Sequence, residues 1–248
     1  MDKSQGKVLI VDDELAVRQA IESVLQKLCF EVSSVDSGEK ALALVRTFQY
    51  DVVLLDIAMP GKDGLQTCRE LRKARPQLGI LMVTVYDSEE IIIQALDAGA
   101  DDYLTKPFNV GELTARLRSL VRRSRVSDTR AKAVIGAGEI EIDPARRTVK
   151  KSGQSIHLTP KEFDLLLYLM SHSGFPIPHA RLLAAVWGPE HEEEVEYLRT
   201  FVRQLRKKLG DDADAPQYLV TVSHVGYCFR AQPDSSGEAR RSVPALGP

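Results

Sequence analysis

From residue 7 to about residue 122, short apolar runs alternate with stretches whose apolar positions recur at helical spacing. The runs cover 7–11, 30–35, 51–56, 79–84 and 102–105. They are rich in Val, Ile and Leu and end at turn-forming residues, as strands buried inside a sheet do. Segments 14–28, 38–48, 64–74, 88–98 and 110–123 carry the periodicity of amphipathic helices. Strand–helix alternation predicts a parallel sheet with helices on both faces and right-handed connections. Asp36 or Ser37 is placed to cap the helix opening at Gly38, and Gly99 to end the helix before it in the left-handed conformation.

The pattern breaks at Arg122, where a charged stretch rich in small residues runs to Lys132 without apolar periodicity and reads as a linker. Beyond it come short strand-like pieces at 138–143, 147–150 and 154–158, with Lys151-Ser152-Gly153 as the turn between the last two. Gly136-Ala137-Gly138, with no strand before it, reads as a turn. Helical patterns follow at 160–172, 178–186 and 194–209, then strand character at 218–222 and 227–230. Residues 232–248 are Pro, Gly, Ser and Arg rich and predict a disordered tail. The expected organisation is a first domain over 1–123, a linker over 124–133, a second domain over 134–231 and the tail 232–248.

Composition narrows this picture without changing it. Across 248 residues the chain is 44% hydrophobic and 27% charged, which fits two globular domains, and its net charge of −2 does not announce a nucleic-acid partner. The cysteines Cys29, Cys68 and Cys228 are few, odd in number and scattered, which argues against a disulfide framework and for a reducing compartment. No apolar run approaches a membrane span and the N-terminus lacks a signal-peptide core, so the expectation is a cytoplasmic protein.

The strand ends carry the candidate chemistry. Asp12 and Asp13 follow the first run, Asp56 ends the third, Thr84 ends the fourth, and Lys106 follows the fifth. Open α/β sheets place their chemistry at the carboxyl ends of their strands. Three acids there repel one another, and a hard divalent cation such as Mg²⁺ relieves that repulsion. Asp is a known covalent acceptor of phosphoryl groups, whose charge the metal and the Lys106 ammonium would neutralise. Taken singly, each acid is more readily a cap or turn residue. Taken jointly, in this strand order, they form a site.

Val11-Asp12-Asp13-Glu14, Leu55-Asp56-Ile57-Ala58-Met59-Pro60-Gly61, Val83-Thr84-Val85 and Gly99-Ala100-Asp101-Asp102-Tyr103-Leu104-Thr105-Lys106-Pro107-Phe108 resemble the receiver domain of bacterial two-component response regulators. The resemblance spans the first domain. It implies a flavodoxin-like (βα)5 fold and phosphorylation of Asp56 by a phosphohistidine on a sensor histidine kinase. It also implies Mg²⁺ held by Asp12, Asp13, Asp56 and the Ala58 carbonyl, phosphoryl oxygens gripped by Lys106 and Thr84, and Tyr103 as a rotameric switch. Val85 departs from the Ala common after the switch Thr, and its bulk is expected to alter access to the phosphoryl group.

In the second domain, Leu198, Val202, Leu205 and Leu209 form one apolar stripe. Glu196, Thr200, Arg203, Gln204 and Lys207 fall broadly opposite it. Such a face suits a DNA major groove, with Arg or Gln at base edges and Lys on phosphate, although a basic run is more often a solvated face. Thr159-Pro160-Lys161-Glu162-Phe163, Trp187-Gly188, the helix 194–209 and Val225-Gly226-Tyr227-Cys228-Phe229 resemble the winged-helix effector of the OmpR/PhoB class. The resemblance implies an N-terminal antiparallel sheet, a wing hairpin over 217–230, and DNA contacts from Arg199, Thr200, Arg203, Gln204, Lys207 and Thr221. Ser223-His224 stands where many relatives carry a minor-groove Arg, which leaves that role to His224. Val186-Trp187-Gly188-Pro189-Glu190, Glu196-Tyr197-Leu198-Arg199 and Gly99 to Leu104 are similar to the KdpE branch, which regulates a potassium-uptake (kdp) operon. The acidic loop Gly188–Glu194 would face RNA polymerase, or is simply solvated.

The class further implies a homodimer through the fourth helix, fifth strand and fifth helix, with Asp97 paired to Arg118 and Asp102 to Arg116. Ile92 replaces a usual basic residue, leaving Glu112 without its common partner and making the dimer more apolar. DNA carrying direct repeats is expected. Two rivals are an enzyme on the same rim and a phosphorylation-independent DNA binder. Against the first, Ala58 stands where Asp-based phosphatases place a second acid, there is no Walker or Gly-x-Ser-x-Gly motif, and the histidines lack zinc spacing. Against the second, the acids are intact.

Overall fold

The computed structural model describes residues 4–86, 88–125 and 134–231. Most of the expected linker and the whole tail 232–248 lie outside the described residues. The first unit contains β1 (Lys7–Val11), β2 (Glu31–Val35), β3 (Val52–Asp56), β4 (Gly79–Thr84) and β5 (Asp102–Thr105), in a parallel sheet of order β2-β1-β3-β4-β5. Between and after them run α1 (Leu15–Lys27), α2 (Gly38–Thr47), α3 (Gly64–Ala74), α4 (Glu89–Asp97) and α5 (Val110–Arg125).

Strand side chains alternate between the faces of a sheet, and this alternation divides the core. Val8, Ile10, Val52, Leu54, Leu81 and Val83 pack with α1 and α5. Leu9, Val11, Val53, Leu55, Ile80 and Met82 pack with α2, α3 and α4. β3 and β4 are buried along their whole length, so their last residues, Asp56 and Thr84, emerge at the rim with little freedom. Ser37 stands at the N-cap position of α2, although its side chain makes no capping hydrogen bond, and Gly99 follows α4 at φ 104° as expected.

In the second unit, β6 (Ile135–Ala137), β7 (Ile140–Asp143), β8 (Thr148–Lys151) and β9 (Gln154–Ile156) form an antiparallel sheet. Next come α6 (Pro160–Ser171), β10 (Ile177–Pro178), α7 (His179–Val186), a single 3-10 turn at Pro189–His191, and α8 (Val195–Leu209). β11 (Leu219–Val222) and β12 (Gly226–Phe229) make the expected hairpin, joined by β10 in a sheet of order β10-β12-β11. A reciprocal cap starts α6: the Thr159 amide donates to Glu162 Oε2 at 2.7 Å, and the Glu162 amide donates to Thr159 Oγ1 at 3.4 Å.

Two expectations need correction. Gly136 and Ala137 are not a turn; they lie in β6, whose pairing with β7 buries Ala137, and only Gly138 turns, at φ 60°. β10 was not foreseen, because two residues are too few to carry a periodicity. The apolar cluster that includes Leu9, Leu55 and Leu96 continues without a break into Leu166, Trp187, Tyr197 and Phe201. The two units therefore share one apolar core across their junction.

Candidate functional site

The rim at the carboxyl ends of β1, β3, β4 and β5 brings the predicted residues together. Lys106 Nζ donates to Asp12 Oδ2 and Asp56 Oδ2, each at 2.8 Å. Asp12 and Asp56 are 3% and 5% exposed, so these are charges held largely out of water. Their second oxygens are also engaged. The Glu14 amide donates to Asp12 Oδ1 at 2.9 Å, and the Ala58 amide donates to Asp56 Oδ1 at 3.1 Å. Burial by itself would lower the Lys106 pKa, but its hydrogen bonds to Asp12 and Asp56 outweigh that and hold it above the ordinary value. Asp13 is exposed, and its carboxylate joins those of Asp12 and Asp56 with ligand atoms all within 4.8 Å of one another.

These three acids outnumber the one ammonium among them, and every donor is a hard oxygen. Such a set fits a divalent cation of the Mg²⁺ or Ca²⁺ type and does not fit a soft metal. Thr84 is 1% exposed, and its Oγ1 accepts from the Tyr86 amide at 3.1 Å. Val85 and Tyr86 beside it are 59% and 48% exposed, so Val85 stands on the rim, out of the core. Gly64 opens α3 directly behind Asp56, where a Cβ would come within 2.1 Å of the Asp56 carbonyl. That close approach seats the helix against the strand end.

On α8 the apolar stripe is buried as expected: Leu198, Val202, Leu205 and Leu209 are at most 1% exposed. Arg199, Arg203 and Lys207 are exposed, as are Thr221 and His224 on the β11–β12 hairpin. Arg199 pairs with Glu196, and Thr221 Oγ1 accepts from Arg206 at 2.9 Å. His224 sits in the turn at φ 61° and Ser223 beside it is exposed. Thr200 departs from its predicted solvent face. It is 4% exposed, because α8 also packs on a second side.

That second side lies against the first unit. Arg203 Nη2 reaches both Asp97 oxygens at 2.8 and 2.9 Å. Gln204 Nε2 donates to Asp97 Oδ1 at 2.9 Å and to the Leu96 carbonyl at 3.0 Å. Tyr197 Oη donates to the Asp101 carbonyl at 2.9 Å and lies 3.2 Å from Asp102 Oδ1. Its ring centroid is 5.7 Å from that of Tyr103. Trp187 Nε1 donates to the same Asp101 carbonyl at 3.3 Å. Arg116 Nη1 meets Asp102 at 2.9 Å and His191 Nε2 at 2.7 Å, and Glu194 lies 2.9 Å from His191 Nδ1. A guanidinium cannot accept, so His191 Nε2 is the acceptor and Nδ1 carries the proton toward Glu194.

Burial alone would raise the Asp102 pKa, but the Arg116 guanidinium outweighs it and holds the carboxyl below the usual range. Burial, reinforced by Glu194, pushes the Tyr103 hydroxyl up to about 12, so it stays neutral and able to donate. Arg118 turns instead to Gln5 Oε1 at 2.9 Å, and Ile92 is half-buried against the shared core. Glu112 does have a partner within the chain, the Arg116 guanidinium at 2.9 Å. Periodicity offers no sign of Tyr197, Trp187 and His191 as junction residues, since their partners lie far away in sequence. The one available signal is an unexpectedly aromatic first turn on a helix otherwise read as basic.

The acidic loop is likewise not wholly solvated, since His191 within it is fully buried and Glu194 half-buried, while Glu192 and Glu193 are exposed. No helix among the described residues is long and apolar enough to cross a membrane.

A family described as the response regulator receiver domain matches residues 8–118, and one described as transcriptional regulatory protein, C terminal, matches residues 153–229. The sensory transduction protein RegX3 of Mycolicibacterium smegmatis is 40% identical over 222 residues, spanning 89% of this chain and 97% of RegX3. A solved mutant of RitR aligns with a TM-score of 0.72 at 27% identity, covering 90% of this chain and 98% of RitR. DrrB, a Thermotoga maritima OmpR/PhoB homologue, is 32% identical with a TM-score of 0.48, covering 90% and 98%. The similarity to RegX3 lends no support to the narrower likeness to KdpE. A relative matched nearly end to end, with both domains in the same order, settles the family: the chain belongs to the OmpR/PhoB-type two-component response regulators, which carry a receiver domain and a C-terminal winged-helix domain and act as DNA-binding regulators, not enzymes.

Proposed function

We propose that Asp56 accepts a phosphoryl group from a phosphohistidine on a sensor histidine kinase, and that this acyl phosphate raises the affinity of the winged-helix domain (134–231) for promoter DNA. The observation that carries this reading is Lys106, held 2.8 Å from both Asp12 and Asp56 at a buried strand end. An Asp56 oxygen attacks phosphorus, the phosphorus–nitrogen bond to the histidine breaks, and the imidazole leaves with that electron pair. Lys106 is then close enough to move from a carboxylate to a phosphoryl oxygen, and the Thr84 hydroxyl to donate to another. Asp12, Asp13 and Asp56, with the Ala58 carbonyl, would hold Mg²⁺, which when bound supplies neutralisation of phosphoryl charge. Tyr103 is the switch residue that follows Thr84.

In this reading the receiver spans 1–123 and pairs through α4, β5 and α5, using Ile92, Asp97, Asp102, Arg116 and Arg118. Arg199, Arg203, Gln204, Lys207, Thr221 and His224 meet DNA carrying direct repeats, and the exposed Glu192 and Glu193 face RNA polymerase. Thr200, buried here, reaches DNA only if α8 leaves α4. The setting is cytoplasmic. The Trp187-Gly188 and Glu196–Arg199 segments favour a potassium-uptake (kdp) operon as target, whereas similarity to RegX3 favours a different regulon. Genome-wide mapping of bound sites distinguishes the two.

Labelled acetyl phosphate with Mg²⁺ tests the chemistry. The expected result is stable label on the wild type and none on Asp56→Asn. Label on both would move the acceptor elsewhere. DNA binding by an unlabelled wild type would support a phosphorylation-independent regulator.

A further inference from the structure

Asp12 is held at every polar group it has. Its amide donates to the Val35 carbonyl at 3.3 Å, its Oδ1 accepts from the Glu14 amide at 2.9 Å, and its Oδ2 accepts from Lys106 Nζ at 2.8 Å. The fourth contact comes from α1, where Arg18 Nη1 donates to the Asp12 carbonyl oxygen at 2.5 Å. Asp13 differs. Its side chain is exposed, and among the described residues no hydrogen bond or ion pair holds its carboxylate. That carboxylate therefore stands where its backbone puts it, and the backbone enters through the Asp12–Asp13 peptide, whose carbonyl Arg18 holds. Arg18 is suited to this by its place on α1. Its own amide donates to the Glu14 carbonyl at 3.1 Å, which fixes its backbone in the first helical turn. Helix side chains lean toward the helix N-terminus, which directs a long Arg back over the β1–α1 turn toward the rim.

We propose that Arg18 is a positioning residue of the cation site: it holds the Asp12–Asp13 peptide so that the Asp13 carboxylate stays beside those of Asp12 and Asp56. This deepens the reading above and rests on it for Mg²⁺ as the cation. Arg18 meets the main chain of Asp12 and not a carboxylate of the trio, so it acts through Asp13 rather than on the metal. Two effects of its guanidinium oppose each other in sign. As a positive charge beside three acids it repels a cation. As an anchor of the Asp13 backbone it lowers the entropic cost of gathering the acids around one. Groups that orient metal ligands are typically worth about 10-fold to 100-fold in affinity, whereas solvent weakens the effect of a half-exposed charge. Positioning is the larger effect, so loss of Arg18 weakens cation binding although it leaves the rim more negative.

The test is calorimetric titration of the full-length chain with Mg²⁺, without any phosphodonor. Wild type, Arg18→Met, Arg18→Lys and Asp13→Asn are compared, together with each Arg18 change in the Asp13→Asn background. Arg18→Met is expected to weaken Mg²⁺ binding about tenfold, and Arg18→Lys, which keeps the charge and a donor, by less. In the Asp13→Asn background neither change should weaken binding much further, because a residue that acts through Asp13 has nothing left to position. Tighter or unchanged binding by Arg18→Met would show that charge outweighs position, and the proposal would fall. Equal losses in the two backgrounds would also overturn it, because the effect would not pass through Asp13. Thermal unfolding without Mg²⁺ reports whether each variant is folded. If Arg18→Met is not, Arg18→Lys carries the same comparison, with a loss expected in the wild-type background and none in Asp13→Asn. A wild type that takes up no Mg²⁺ would overturn the cation reading and this one with it. Binding by wild type that Arg18→Met matches would overturn this one alone.

Discussion

Asp102 is the residue on which the junction turns electrostatically. It is 1% exposed, pairs with Arg116 at 2.9 Å, and has His191 Nε2 3.6 Å away. Its carboxyl is held below the usual range mainly by Arg116, so its contribution to stability is present above the unfolded value near 3.8 and disappears as pH falls through the lower folded value. Acid should therefore loosen this junction only below the ordinary carboxylate range. Asp102→Asn would leave the Arg116 guanidinium, 6% exposed, with Glu112 as its remaining acid partner among the described residues. The expected loss is about 3 kcal/mol in urea-induced unfolding at neutral pH, because a buried charge loses its best partner. A loss near zero would mean that water already reaches the pair. The role of Asp102 was only half legible beforehand. Its link to Arg116 was expected across a dimer, and the chain makes that link within itself.

At the scale of elements, most of the receiver is readable from the chain. β1, β4 and β5 run as expected, and β2 and β3 start one residue later, because short apolar runs bounded by turns have no competing pattern. The gathering of the rim residues was readable for the same reason: Asp56, Thr84 and Lys106 each fall where an apolar run stops. Less visible was how tightly α3 sits on that rim. A Cβ on Gly64 would approach the Asp56 carbonyl to 2.1 Å and Ile57 Cα to 2.6 Å, both backbone atoms that cannot move cheaply. Gly64→Ala is expected to cost roughly 1–3 kcal/mol by overpacking and to reduce phosphoryl labelling of Asp56 by tilting its strand end. Thermal unfolding together with labelling reads both effects, and an unperturbed variant would show that α3 can retreat freely. The Thr200 error has a different origin. A helical wheel assigns one buried face, and α8 buries two, one under its own domain and one under α4.

At the scale of the molecule, the two domains share a continuous apolar core, and this is the part the sequence could not disclose. Local periodicity reports that a face is apolar, not which domain covers it. Tyr197, Trp187 and His191 meet partners 75 to 96 residues away in the other domain, and each reads locally as an ordinary member of its own domain. Through them Tyr103 on β5, the proposed switch, packs on α8, the helix that carries Arg203 and Gln204. What matters is whether chemistry at Asp56 governs that helix. The most direct measurement is the affinity of the full-length chain for a promoter fragment recovered from its own genome-wide binding map, taken with and without acetyl phosphate and Mg²⁺, in wild type and Asp56→Asn. Wild-type affinity should rise on treatment while Asp56→Asn stays at the untreated level. Equal affinities in all four samples, with Asp56 demonstrably labelled in the treated wild type, would contradict the account.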